Sequence, residues 1–299
     1  MPEKPNFPQC PACGSSLTRP VLDARDHTVS GEAFHIHQCE ACGLRFTYPV
    51  PGPAEIGKYY QSEDYISHTD TQRGLINKLY HGIRKISLAQ KKKWITRETS
   101  LHSGTILDIG CGTGHFLREM RSAGWQVTGL EPDEKARAIA LSHSNITALA
   151  PEELFRLPSE SFDVVTLWHV LEHVHQLHPY MEEIRRLLKP GGKLFIAVPN
   201  YASKDQQVFG PDWAAYDVPR HLYHFSAPAM KRLTEGHGLR LRRLKAMPFD
   251  GFYISLLSEK YKYGANRYLG GFVNGVKSWL HGRAHPSEAS SILYILEHA

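Results

Sequence analysis

Four cysteines fall in two matching runs, Cys10-Pro11-Ala12-Cys13-Gly14 and Cys39-Glu40-Ala41-Cys42-Gly43, with 25 residues, 14 to 38, between Cys13 and Cys39. Four thiolates so paired suit tetrahedral zinc, and the glycine after each pair permits the positive φ of a tight knuckle. A redox dithiol is the rival chemistry. His35 and His37 are reserve ligands that such a site does not need. The fifth cysteine, Cys111, sits inside a glycine loop and reads as a small packing residue.

That loop, Asp108-Ile109-Gly110-Cys111-Gly112-Thr113-Gly114, could hold a ligand. A dinucleotide fingerprint would place its third glycine at 115, where His115 stands, and no Gly-Lys-Ser/Thr follows for a phosphate loop. Gly110, Gly112 and Gly114 instead form a tighter turn, suited to a compact ligand rather than a pyrophosphate. Glu131, at the end of the next apolar run, can accept hydrogen bonds from two ribose hydroxyls. Capping of the following helix is its alternative role. Asp108 can hold the loop, or reach the ammonium of an amino-acid moiety through water.

Histidine suits acid–base work near neutral pH, but there are 18, so most must be ordinary. Two groups stand out. In His169-Val170-Leu171-Glu172-His173, helical spacing predicts that 169 and 173 share a face while Glu172 points elsewhere. A catalytic metal then lacks its third ligand and is not expected. The other group is Asp217-Val218-Pro219-Arg220-His221-Leu222-Tyr223-His224-Phe225-Ser226, expected to cross the mouth of the pocket. His221 is the first candidate for a general base, with His224 and His169 next. A structural role for His221, orienting its loop, is the other reading. Trp168 and Tyr59, Tyr60 and Tyr65 could wall a cationic ligand by cation–π contact, or could be ordinary core.

Strands and helices alternate from residue 104. Strands are expected at 105–109, 126–130, 146–149, 162–167 and 193–198, with helices at 115–124, 134–142 and 177–188 between them. Lys189-Pro190-Gly191-Gly192 is expected to stop the last of these helices. A helix at 228–237, a strand at 239–246, a helical stretch at 253–263 and a strand at 291–296 follow. The pattern predicts an α/β, Rossmann-like, doubly wound, mostly parallel seven-stranded sheet, with the ligand at the carboxyl ends of its strands. Three units are expected: a zinc ribbon at 1–50, a helical connector covering the pocket at 51–103, and the α/β domain at 104–299. The stretch 255–286 carries Leu256, Leu257, Phe272, Val273, Trp279 and Leu280, and reads as a lid, a dimer face or a membrane-surface helix.

Val165 to Val174 (VTLWHVLEHV) and Leu187 to Asn200 (LLKPGGKLFIAVPN) resemble the class I S-adenosylmethionine-dependent methyltransferases, in the branch with H-x-L-E-H after the fourth strand. The resemblance covers residues 104–200. It implies that Gly110, Gly112 and Gly114 contact the methionine moiety of S-adenosylmethionine, that Glu131 holds the ribose, and that Trp168 and His169 lie beside the cofactor. An acid after the third strand often meets the adenine amine in that family; Glu152 or Glu153 is offered here, and the match is loose. The D-x-P-R-H-L-x-H-F-S run also resembles a segment of relatives with the H-x-L-E-H signature. Joined to a structural zinc at Cys10, Cys13, Cys39 and Cys42, the whole resembles bacterial sugar C-methyltransferases and, as an alternative, ribosomal RNA guanine methyltransferases.

The net charge of +5 is mild and split among Lys91-Lys92-Lys93, Arg185-Arg186 and Arg240 to Lys245, read as solvated faces rather than a phosphate track. Nucleic acid is therefore not the expected partner. There is no N/D-P-P-Y/F/W run and no Pro-Cys nucleophile after the fourth strand. The reading is transfer to oxygen or carbon of a small metabolite, such as a nucleotide-linked sugar, with a homodimer possible. A non-catalytic scaffold that kept the cofactor fold is the alternative from another class. With no 18-residue apolar run and no leader-like N-terminus, the cytoplasm is the expected compartment.

Overall fold

The computed structural model describes residues 8–61 and 75–299, with side chains from 82 onward in the second stretch. Tyr65 lies outside the described residues. Thr105–Ile109 (β4), Gln126–Leu130 (β5), Ala148–Leu149 (β6), Phe162–Trp168 (β7), Leu188–Pro199 (β8), Leu239–Ala246 (β10) and Ser291–His298 (β11) build a seven-stranded sheet in the order β10-β11-β8-β7-β4-β5-β6. β6, β5, β4, β7 and β8 run parallel; β11 is antiparallel to both β8 and β10.

Period-2 side chains explain the layers. Ile106, Val164 and Phe195 face one side and bury Trp94 and Ile95 of the helix Leu75–Thr99 (α1) and Phe116, Leu117 and Met120 of His115–Ser122 (α2). Their neighbours Leu107, Val165 and Leu194 face the other side, against Met181 and Ile184 of Leu177–Leu187 (α4) and Met230 and Leu233 of Ala227–Gly236 (α6). Glu134–Ser144 (α3) joins β5 to β6. Asp133 caps its start, accepting from Lys135 N at 2.8 Å, and Asn145 ends it in the left-handed region at φ 53°.

A second sheet runs β1-β2-β3-β9, from Thr18–Arg25 (β1), Ala33–Cys39 (β2), Arg45–Tyr48 (β3) and Tyr223–His224 (β9). β3 pairs with β9 (Arg45 with His224, Phe46 with Tyr223), so the cysteine-bearing lobe is stitched to the segment holding the candidate histidines. Cys10, Cys39, Leu44 and Phe46 share one buried cluster with β4, β7 and α4.

Two local expectations are corrected, and a third region takes definite form. Pro190-Gly191-Gly192 does not separate helix from strand: α4 ends at Leu187, and β8 runs through that tripeptide. There the β7–β8 register slips between Phe162/Leu188 and Val164/Lys193, so the tripeptide sits where regular pairing is not required. Residues 171–173 form a single 3-10 turn rather than a helix bearing His169 and His173 on one face. Residues 255–286 resolve into a hairpin of Asp250–Tyr263 (α7) and Tyr268–Ala284 (α8), after the short helix Lys204–Phe209 (α5). Gly271 and Gly275 permit the close approach; an added Cβ would come within 2.7 Å of Leu256 and Phe252 respectively. Among the described residues, no helix is long and apolar enough to cross a membrane.

Candidate active site

The glycine loop leaves β4 and wraps the end of β5. Gly110 N and Cys111 N both donate to Leu130 O, at 2.7 and 2.9 Å. Gly110 (φ 74°) and Gly114 (φ 76°) occupy the left-handed region, and a Cβ at 110 would come within 2.4 Å of Val170. Glu131 accepts from Gly112 N at 2.8 Å and Asp133 N at 3.0 Å, tying the loop to the strand end. Asp133, not Glu131, caps α3. Burial raises the Glu131 carboxyl above its usual value, against the two backbone donors that lower it.

Asp108 is buried and accepts from Thr166 Oγ1 at 2.6 Å. Burial pushes its carboxyl up to about 7, although the Thr166 hydrogen bond and the Lys91 charge act against this. Trp168 ends β7 with its indole N–H buried and unpartnered. The ammonium of Lys91 lies over its ring, 4.2 Å from the centroid. Burial pushes Lys91 down to about 8, opposed by the charges of Asp108 and Asp250. Lys91 therefore corrects the expectation that its basic run is all solvated surface: α1 turns it inward because Trp94 and Ile95 on the same helix are core. The cation on the Trp168 face is the protein's own Lys91, whereas the sequence reading concerned a cationic ligand. Tyr59 packs against Phe34 and donates to Glu32 at 2.6 Å, which places it in the β1–β3 lobe. Glu152 is exposed, and Glu153 pairs with Arg156 at 2.7 Å.

The histidines gather just beyond β7. His169 has φ 58°, uncommon for a non-glycine residue and frequent where a site imposes strain. Its Nε2 lies 2.9 Å from Asp250 and its Nδ1 3.5 Å from Glu172. Burial disfavours the charged ring, but the Asp250 and Glu172 carboxylates outweigh it and raise His169 to about 10. His173 Nδ1 faces Arg220 O at 3.0 Å and the Tyr60 hydroxyl at 3.1 Å. Burial, then the neighbouring His221, lower His173 to about 4. His221, 9% exposed, directs Nδ1 at Ala215 O, 2.9 Å away, and packs edge-on to His173. His224 is more deeply buried, with Nε2 3.1 Å from Thr47 Oγ1. Thr47 spends its own proton on His221 O at 2.7 Å, so His224 donates there. Burial first, then His221 and Arg45, hold the His224 ring well below its usual value.

Glu172 is 0% exposed and lies beside His173 and His221, where sequence spacing had pointed it away. The expected α-helical spacing does not apply, because these residues form a 3-10 turn, and the tertiary fold brings His221 to meet Glu172 and His173. Sequence reading also missed what fixes His221. Arg220, 1% exposed, bonds Asp217 through two nitrogens (3.0 and 2.7 Å), reaches Tyr59 O at 2.7 Å, and pairs with Asp26 of the β1–β2 connection at 3.0 Å. Asp26 and Asp250 carried no local motif; only the tertiary pairing reveals them.

The family described as a methyltransferase domain matches residues 80–244. The chain belongs to the methyltransferase domain family. It has the class I, Rossmann-like fold and is an S-adenosylmethionine-dependent methyltransferase. The methyltransferase is 28% identical over 238 residues to a ubiquinone biosynthesis O-methyltransferase of Nitrosococcus oceani, covering 75% of this chain and 95% of that one. It is 32% identical over 182 residues to a protein of the same name from Paraburkholderia xenovorans, covering 58% and 78%. A crystal structure of a methyltransferase from Archaeoglobus fulgidus aligns with a TM-score of 0.48 and 19% identity, covering 70% of this chain and 93% of that one.

The four N-terminal thiols also converge. Cys10 and Cys42 Sγ are 3.5 Å apart, Cys13 and Cys39 Sγ 3.6 Å, and all four lie within 4.8 Å of one another. Tetrahedral zinc with Zn–S bonds of about 2.3 Å separates its sulfurs by about 3.8 Å, so this donor set is compatible with a zinc ribbon.

Proposed function

We propose that this methyltransferase modifies an oxygen of a small-molecule acceptor, with His221 taking the acceptor's proton. S-adenosylmethionine, when bound, supplies a methyl group already activated on a positive sulfur, so the protein's work is alignment and deprotonation. We assign Gly110, Gly112, Gly114 and Asp108 to its methionine part, Glu131 to the ribose, and Trp168 and His169 to the pocket beside it. Glu152 remains the candidate for adenine, at the end of β6. His221 is favoured over its neighbours because its Nδ1 is committed to Ala215 O, leaving Nε2 to accept. His169 keeps its proton near neutral pH and so suits charge pairing better than proton uptake. His224 has its Nε2 proton committed to Thr47.

The observation that carries the reading is the placing of a ring nitrogen open to a proton on the end of the sheet that holds the glycine loop, Glu131 and Trp168. The relatives named ubiquinone biosynthesis O-methyltransferase support oxygen over carbon; a hydroxyl of a nucleotide-linked sugar stays within the class. We assign structural zinc to the four cysteines, whose free thiols suit the reducing cytoplasm. The lobe at 1–50, the connector at 51–103 and the domain at 104–299 serve as acceptor wall, cover and cofactor holder. The apolar strip of α8, with Leu269 78% exposed beside Tyr268 and Phe272, suits a homodimer face.

The test is incubation with S-adenosylmethionine and a panel of hydroxylated metabolites, including nucleotide sugars, reading S-adenosylhomocysteine by mass spectrometry. Glu131→Ala should weaken cofactor binding by roughly 10- to 100-fold in calorimetry. His221→Ala should spare it and lower kcat by roughly 100-fold or more. Undiminished turnover in His221→Ala would remove the base, and absence of cofactor heat in the native chain would remove the whole reading.

A further inference from the structure

We propose that Glu172, His173 and His221 together bind one divalent transition-metal cation, at a site separate from the four cysteines. Three observations meet here. One potential ligand atom from each residue lies within 4.8 Å of the others. Both oxygens of Glu172 are buried with no hydrogen-bond partner, at a residue 0% exposed. A bare carboxylate so placed is costly unless something cationic meets it. His169 approaches only to 3.5 Å, with its other nitrogen on Asp250 at 2.9 Å.

The third observation is the tautomer set by the surroundings. His173 Nδ1 donates to Arg220 O (3.0 Å) and His221 Nδ1 donates to Ala215 O (2.9 Å). Both Nε2 lone pairs are thereby left for a ligand. Backbone carbonyls holding the far nitrogen of each imidazole are the usual outer support of metal-binding histidines. Two imidazoles and one carboxylate suit zinc, manganese, iron or cobalt, and leave positions open for water or substrate oxygen.

The inference rests on the proposed methyl transfer for its purpose, though not for its test, and where the ion is bound it replaces His221 as the group that activates the acceptor. With the ion bound, His221 is a ligand. An acceptor hydroxyl in an open position is made acidic, loses its proton to water, and attacks the methyl carbon through oxygen as the C–S bond breaks. The cation is conserved through that step.

The experiment uses the full chain carrying one equivalent of zinc, which the four thiolates take first, with excess zinc removed and neither cofactor nor acceptor present. Mn²⁺ is titrated by electron paramagnetic resonance, because thiolates select softer metals. One saturable site is expected. Glu172→Gln should weaken it roughly 100-fold while far-ultraviolet circular dichroism and S-adenosylmethionine affinity stay unchanged. Should that variant misfold, pulsed resonance of Cu²⁺ in the native chain must show two coupled imidazoles. Lack of saturable Mn²⁺ binding, unaltered binding in a folded Glu172→Gln, or a Cu²⁺ centre without two imidazoles overturns the site. Metal binding without methyl transfer leaves the site standing and fails the proposed reaction; the converse result spares the reaction and returns the proton to His221.

Discussion

Asp108 shows how one buried carboxyl links a ligand loop to stability. In the unfolded chain it ionises near the ordinary value of 3.8; in the ligand-free fold, burial raises it to about 7. The folded state thus prefers the protonated form. The stability this group contributes is complete below pH 3.8 and is lost as pH rises through 7. Asp108→Asn removes that loss, since the amide cannot ionise. Thermal melts of the ligand-free protein should show the variant gaining on the native chain between pH 5 and pH 8. A difference independent of pH would mean that Asp108 titrates normally. A neighbouring cation, Lys91, is itself pushed down to about 8 by burial, so the two buried groups soften each other's charge.

Among the elements, the segment from Asp217 to Ser226 owes its position to a strand it does not contain. β9 is only Tyr223–His224, too short to hold itself, and it is ordered by pairing with β3. The buried Asp26–Arg220 pair fastens the same segment to the turn after β1. Asp26 also accepts from Thr28 and Ser30, hydrogen bonds that shape that turn and help hold its carboxyl at about 2, against the cost of burial and together with the Arg220 charge. Asp26→Ala removes one partner of a buried ion pair and should cost about 3 kcal/mol. It should also lower kcat by loosening His221, while cofactor affinity stays within about twofold, because Glu131 and the glycine loop belong to other elements. Equilibrium unfolding and calorimetry on the same sample check this; a stable variant with native turnover would show that the pair does not position the histidine. Asp26→Asn, whose single amide oxygen can keep only the turn hydrogen bonds made by one of the two carboxylate oxygens, should fall between.

For the molecule as a whole, the cysteine lobe acts through the four-stranded sheet and not as an independent appendage. Its fourth strand comes from the catalytic half, and Cys39 and Phe46 sit in the cluster that packs β7 and α4. If the four cysteines hold zinc as proposed, its loss should therefore reach the histidines and spare the cofactor pocket. Cys39→Ser is expected to abolish bound zinc at this lobe and cut turnover at least roughly tenfold, with S-adenosylmethionine still bound within about threefold. Metal analysis, turnover and calorimetry read the three quantities. Native turnover in a zinc-free variant would separate the lobe from the reaction.

The order of strands, the glycine turn and the strand-end acid were legible in the sequence because they are local: apolar period, glycine spacing and a charge at a fixed offset each act within a few residues. The four cysteines were legible for the same reason, as two short repeats. The histidine centre was not. His169, Glu172 and His173 look like a helix in sequence, and only the packing of β8 and the 217–226 segment turns them into a 3-10 corner with His221 across from Glu172. Arg220 finds Asp26 across 194 positions, and Asp250 reaches His169 from the start of α7. Such pairings cost chain entropy that no local propensity can offset, so burial in the assembled core selects them.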